Sequence, residues 1–184
     1  MAHAWPSNHR DLHGTAATLR HYLRDLVYGA NDGIITTFAV VASVTGGALS
    51  VKAVLVIGVA NLLADGLSMG AGNYLAIVSH ESARHAEQLP PEEEHAVKHG
   101  AATFLAFALA GALPLAPFLI PGLEAVRFEA SAAATFGALF CVGASRAFIT
   151  QVRWLRAGLE MLLLGMAVAA IAWVSGRVIA AAVA

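Results

Sequence analysis

The sequence predicts an all-α polytopic membrane protein with five transmembrane helices, N-terminus cytoplasmic and C-terminus outside, and three observations predict it. The 184 residues are 58% hydrophobic and only 12% charged, about half the ~25% charged share of soluble domains. Mean hydropathy is +0.69. Long apolar runs recur, and the one from Ala53 to Ser79 is broken only by Asp65, which exceeds the roughly 20 residues a helix needs to cross a bilayer. A net charge of −1 leaves no basic face to neutralise phosphates, so nucleic acid is not an expected partner. The single cysteine, Cys141, excludes an intramolecular disulfide and any Cys-based zinc or redox motif. Its apolar neighbours predict a small core residue.

Residues 1–21 form a polar tail with His3, His9, His13 and His21. It holds no apolar segment of the kind a cleavable signal peptide needs, and its histidines lack regular metal-ligand spacing. From Leu19 to Tyr28 apolar and basic residues mix, which predicts an amphipathic helix along the membrane surface. The membrane region is expected over 22–184, with spans at about 26–49, 53–79, 100–123, 130–149 and 157–176. In the first span Gly29 and Gly33 are spaced for close helix contact. Asp32 lies between them, either as an intramembrane carboxylate or as a helix-starting residue at the interface. Gly46-Gly47 ends that span, and Ser50 is placed to cap the second.

The second span carries the chemistry. At 100° per residue Asn61, Asp65, Met69 and Asn73 fall on one stripe, with Ser68 and Gly72 beside it. A carboxylate in mid-membrane costs roughly 2.5–3.5 kcal/mol on insertion scales, so it faces a polar cavity or a partner. Carboxylate, amides and thioether can all ligate a divalent metal, and the thioether favours softer ones. The same stripe also fits helix–helix adhesion, helped by the Gly66-x-x-x-Gly70 pair.

A short acidic and His-containing loop, 80–99, follows. Glu81 with His85, and His95 with His99, are i,i+4 pairs able to hold a metal on a helix face, and Glu92 adds a carboxylate beside them. A solvated loop with no such role is the alternative. Pro114, Pro117 and Pro121 crowd the far end of the third span, where they kink or end it. The fourth span closes at Arg146, and Glu160 near the start of the fifth is spaced to pair with Arg156. With the N-terminus inside, the cytoplasmic segments carry Arg10, Arg20, Arg24, Arg84, Lys98, Arg146, Arg153 and Arg156, against Lys52, Arg127 and Arg177 outside. This is the positive-inside bias. No histidine falls in mid-span, which leaves proton relay to Asp32 and Asp65.

The run from Leu23 to Phe38, Leu-Arg-Asp-Leu-Val-Tyr-Gly-Ala-Asn-Asp-Gly-Ile-Ile-Thr-Thr-Phe, closely resembles the opening of the vacuolar iron transporter family, which includes the nodulin-like transporters. So do Leu62 to Met69 with Gly72 to Leu75, Thr103 to Phe107 with Pro114-Leu115, and Gly158, Met161-Leu162 and Gly165. The resemblance implies a five-span protomer that forms a homodimer, with an ion path between the first helices and their neighbours. It implies export of cytosolic Fe²⁺, often Mn²⁺ as well, in exchange for protons, with no catalytic cofactor and no enzymatic reaction. On the family pattern Asp32 and Met69 match metal-contacting positions. Asn61 stands where iron-transporting members carry a glutamate, and Asp65 supplies a carboxylate one turn later. Larger members gather metal on a cytoplasmic glutamate cluster. The short loop here resembles members that lack that domain, and its compactness suits a bacterial inner membrane.

Two other classes remain in view. A non-transporting membrane interaction protein would use the glycines and amides only to hold helices together. An intramembrane hydrolase would need a nucleophile–base pair or a His/Glu metal centre within a span, and no such set is present in the sequence.

Overall fold

The computed structural model describes residues 15–147 and 152–183, with side chains from His21 onward. His3, His9 and His13 of the expected tail, and the end of the expected fourth span, lie outside the described residues. Six helices are described among these residues: α1 (Thr15–Gly46), α2 (Val51–Ala86), α3 (Ala96–Gly111), α4 (Ala116–Leu119), α5 (Arg127–Ser145) and α6 (Trp154–Val183). Four of them are long and apolar enough to cross a membrane, over His21–Gly46, Val51–Ala86, Arg127–Ser145 and Trp154–Val183. These helices make the chain an integral membrane protein.

The first helix differs from expectation. Among the described residues the Leu19–Tyr28 stretch is continuous with the span, because no Gly or Pro interrupts Thr15 to Tyr28, and α1 runs unbroken for 32 residues. Asp32 therefore sits well inside a helix, not at its start. Gly46 ends α1 as the Gly-Gly pair predicts, and the Ser50 side chain caps α2 by accepting from the Ala53 N–H at 3.3 Å. The second helix continues past Ser79 to Ala86, so it projects beyond the apolar run.

The third segment departs most. Its apolar helix α3 has only 16 residues, about 24 Å at a rise of ~1.5 Å per residue, short of the ~30 Å hydrocarbon thickness. Pro114 stops it, since proline has no N–H to donate and disfavours helical geometry at the residue before it. The chain then turns through 112–115 into the single turn of α4. The buried Ser131 hydroxyl of α5 donates to the freed Pro114 carbonyl at 2.6 Å, so the break is satisfied inside the protein.

Packing places α3 between α1 and α2, and small residues make that possible. A side chain at Gly29 would meet the Thr103 carbonyl oxygen at 2.5 Å, and one at Gly70 would meet that of Gly100 at 2.7 Å. At the opposite end, Gly46 of α1 lies against the Trp173 backbone of α6. Helix α1 touches α2, α3, α5 and α6, making it the central rod. The core around it comprises Phe38, Val41, Val44, Val54, Leu62, Phe107, Leu115, Phe118 and Ala169. Cys141 is not part of that core. It is exposed, because the buried stripe of α5 runs through Ser131, Thr135, Leu139 and Gly143. The Arg156–Glu160 pair forms as spaced, at 3.0 Å on the surface.

Candidate metal path and the polar cluster at its mouth

On α2 the periodicity is realised. Val54, Gly58, Leu62, Gly66 and Gly70 form the buried stripe. One residue before each of the last three stand Asn61, Asp65 and Met69, all half-buried and in line with Asn73. Asp32, half-buried on α1, lies close enough to Asp65 for the two charges to act on each other. Beside it the Asn31 side-chain oxygen is buried with no hydrogen-bond partner. The structure thus brings Asp32 and Asp65 into one neighbourhood from two helices, with Asn61 and Met69 one turn to either side of Asp65.

Asn73, the fourth member of the stripe, has another task. Its amide nitrogen donates to Asp25 Oδ1 at 2.9 Å and to Thr103 Oγ1 at 2.8 Å. Asp25 is only 3% exposed, so its charge needs such partners. The other is His99, 5% exposed at the start of α3, whose Nδ1 meets Asp25 Oδ2. The opposite ring nitrogen, Nε2, lies 3.0 Å from Glu93 Oε2 and 3.1 Å from His21 Nε2. His21 Nε2 is itself 3.0 Å from Glu93 Oε2. These three residues are the one His/Cys/Asp/Glu group among the described residues whose ligand atoms converge closely enough for a metal ion.

The loop ligands expected from i,i+4 spacing are placed differently. Glu81 accepts the backbone N–H groups of Glu92 and Glu93, at 3.1 Å for the nearer oxygen in each case. Arg84 donates to the Pro90 carbonyl at 2.8 Å and pairs with Glu92 at 3.2 Å. Glu81 and Arg84 therefore pin the loop to the end of α2 and aim Glu93 inward. Glu92, His85 and His95 are exposed, and His95 and His99 face different ways. A cleft of about 550 Å³ opens over this end, lined among others by His21, Asp25, Asn73, Glu81, Glu93 and His99. Partial burial pushes the Glu93 carboxyl up, but the His95 N–H and the His99 and His21 rings outweigh it and hold the group below its ordinary value of 4.5.

Sequence reasoning missed Asp25, His21 and Glu93. Asp25 and His99 are 74 positions apart, and no periodicity links them. The available signal was chemical: a carboxylate one turn before Gly29-x-x-x-Gly33 has to find a partner once that face is packed.

A bundle of long apolar helices with two carboxylates, an amide and a thioether on its first two helices belongs to the class of polytopic membrane proteins that carry polar side chains within their spans. Comparison makes this specific. The VIT family model matches residues 23–89 and 82–177, and the chain belongs to that family. A vacuolar iron transporter of Toxoplasma gondii is 38% identical over 87 residues, 47% of this chain and 28% of that protein. Vacuolar iron transporter 1 of Eucalyptus grandis and of Arabidopsis thaliana are each 36% identical over 90 residues, 49% of this chain and 34% of theirs. The matched region thus spans about a third of these relatives' length. Their names are those of transporters, not enzymes.

Proposed function

We propose that this chain exports cytosolic Fe²⁺ or Mn²⁺ in exchange for protons, along a path bounded by α1 and α2 and completed in a homodimer. One observation carries the reading: the packed, apolar helices α1 and α2 each hold a half-buried carboxylate, Asp32 and Asp65, the latter in line with Met69 and Asn61. Two carboxylates offset the desolvation of a dication, and a thioether adds affinity that hard Mg²⁺ and Ca²⁺ gain little from. Protons compete with metal for the same oxygens, so a proton arriving from the acidic side releases the cargo. The relatives' names, vacuolar iron transporters, support iron as the cargo.

The stripe is only half-buried in one protomer, and a two-fold axis through it would double every ligand. In this reading α3 with the turn into α4 makes the fifth crossing, the N-terminus is cytoplasmic by the basic-residue bias, and the compact loops suit a bacterial inner membrane. Glu81, His85, Glu92 and His95 then form a solvent-facing rim that collects metal weakly.

The test is flux into proteoliposomes loaded with a pH dye, offering Fe²⁺ (kept reduced) and Mn²⁺ separately. Metal entry with proton exit is expected, and Asp65→Asn and Asp32→Asn should each reduce it at least tenfold in a folded dimer. Undiminished flux in the double variant would overturn the assignment. Loss of the folded dimer on Asp65→Asn would favour the adhesion role that the tight Gly66 and Gly70 packing also fits.

A further inference from the structure

We propose that His21, Glu93 and His99 form a separate three-ligand site for a borderline first-row dication at the open end of the bundle, with Asp25 and Asn73 as its positioning residues. Asp25, as a carboxylate, can only accept, so it fixes the proton of His99 on Nδ1. The other ring nitrogen, Nε2, is aimed at the Glu93 carboxylate at 3.0 Å, and a metal would take the place of its proton. His21 Nε2 converges on the same point, so three metal-ligating atoms from three segments meet there. Ligand atoms about a small tetrahedral cation with ~2.0–2.1 Å bonds are about 3.3 Å apart. The observed edges of 3.0–3.1 Å need only a few tenths of an ångström of expansion to take one.

The surroundings match a metal site in a second respect. A histidine ligand characteristically gives its other ring N–H to a carboxylate, which orients the ring and raises its basicity. Here Asp25 plays that part, and Asn73 and Thr103 hold the arrangement, since Asn73 bridges Asp25 and the Thr103 hydroxyl. Two imidazoles and one carboxylate suit Zn²⁺, Co²⁺ or Fe²⁺ far better than Mg²⁺ or Ca²⁺. The fourth position faces the cleft, so water can occupy it and the ion can exchange. The ligands come from α1, the 87–95 loop and α3, and an occupant ties all three together. This site shares no ligand with the Asp32–Asp65 path and does not depend on the transport reading.

The experiment uses the full chain, tag-free and in detergent, titrated with Co²⁺ and followed by its visible absorption. One equivalent per chain with a low-symmetry, four- or five-coordinate spectrum is expected, displaced by Zn²⁺ and not by excess Mg²⁺. His21→Ala and Glu93→Gln, which change exposed or loop side chains, should weaken it by more than tenfold. Asp25→Asn should weaken it about 10–100-fold, the usual effect of removing a ligand's orienting partner. The Asp32→Asn, Asp65→Asn double variant and a His3, His9, His13→Ala variant should both bind as before. Unchanged affinity in folded His21→Ala and Glu93→Gln proteins would overturn the site, as would loss of the signal in either of the latter two variants. Failure of metal flux with binding intact would count against the transport reading alone.

Discussion

Asp25 is the most confined charge in the described structure, and its environment shows what single residues contribute here. Its two oxygens are met by Asn73 and His99, and removing a partner from a buried charge leaves a desolvation cost of about 1–3 kcal/mol or more. Asn73→Ala is therefore expected to lower the thermal midpoint in detergent by several degrees, whereas Ser68→Ala on the exposed side of the same helix should leave it within error. Equal midpoints for Asn73→Ala and the parent would show that the amide bridge carries no stability. The period of α2 made Asn61, Asp65, Met69 and Asn73 legible as one stripe in the sequence. It did not reveal that Asn73 is spent on Asp25 and Thr103, because those partners lie 48 and 30 positions away. Periodicity reports which face a residue occupies, and says nothing of what the facing helix offers. Cys141 failed for the same reason: an apolar run looks alike whether it faces protein or lipid.

The helices are held by absence of side chains as much as by their presence. Gly70 and Gly100 each sit where a Cβ would approach the other's carbonyl oxygen, at 2.7 and 2.6 Å. Gly70→Val and Gly100→Val should each cost about 1–3 kcal/mol or more through overpacking, read as lost monodispersity and a lower melting point. Gly72→Val, with nothing within 4 Å of its Cβ position, is the matched control and should be neutral. Local grammar gave the Ser50 cap, the end of α1 at Gly46 and the Arg156–Glu160 pair, since each needs only neighbours in the chain. It misjudged α1 as two pieces because a charged amphipathic stretch and a membrane span have no required break between them. The reach of α3 was overestimated because apolar composition continues past Gly111 while the backbone, constrained by Pro114, does not.

At the scale of the molecule, the two ends differ in kind. One gathers His21, Arg24, Glu81, Glu92, Glu93 and His99 around a cleft, and the other brings Thr45, Leu49, Glu124 and Arg127 together. If the first end is cytoplasmic, an impermeant maleimide added to intact cells should label Ala125→Cys in a Cys141→Ala background and should reach Leu89→Cys only after permeabilisation. The reverse pattern would invert the topology. The shortness of α3 then has a dielectric meaning. Irregular backbone at 112–115 is tolerated at membrane depth only where protein or water satisfies it, and Ser131 does so for Pro114. The Ser131 hydroxyl, 17 positions away, therefore acts as an insulator for the break: it screens from hydrocarbon a carbonyl that the ladder of α3 cannot cover.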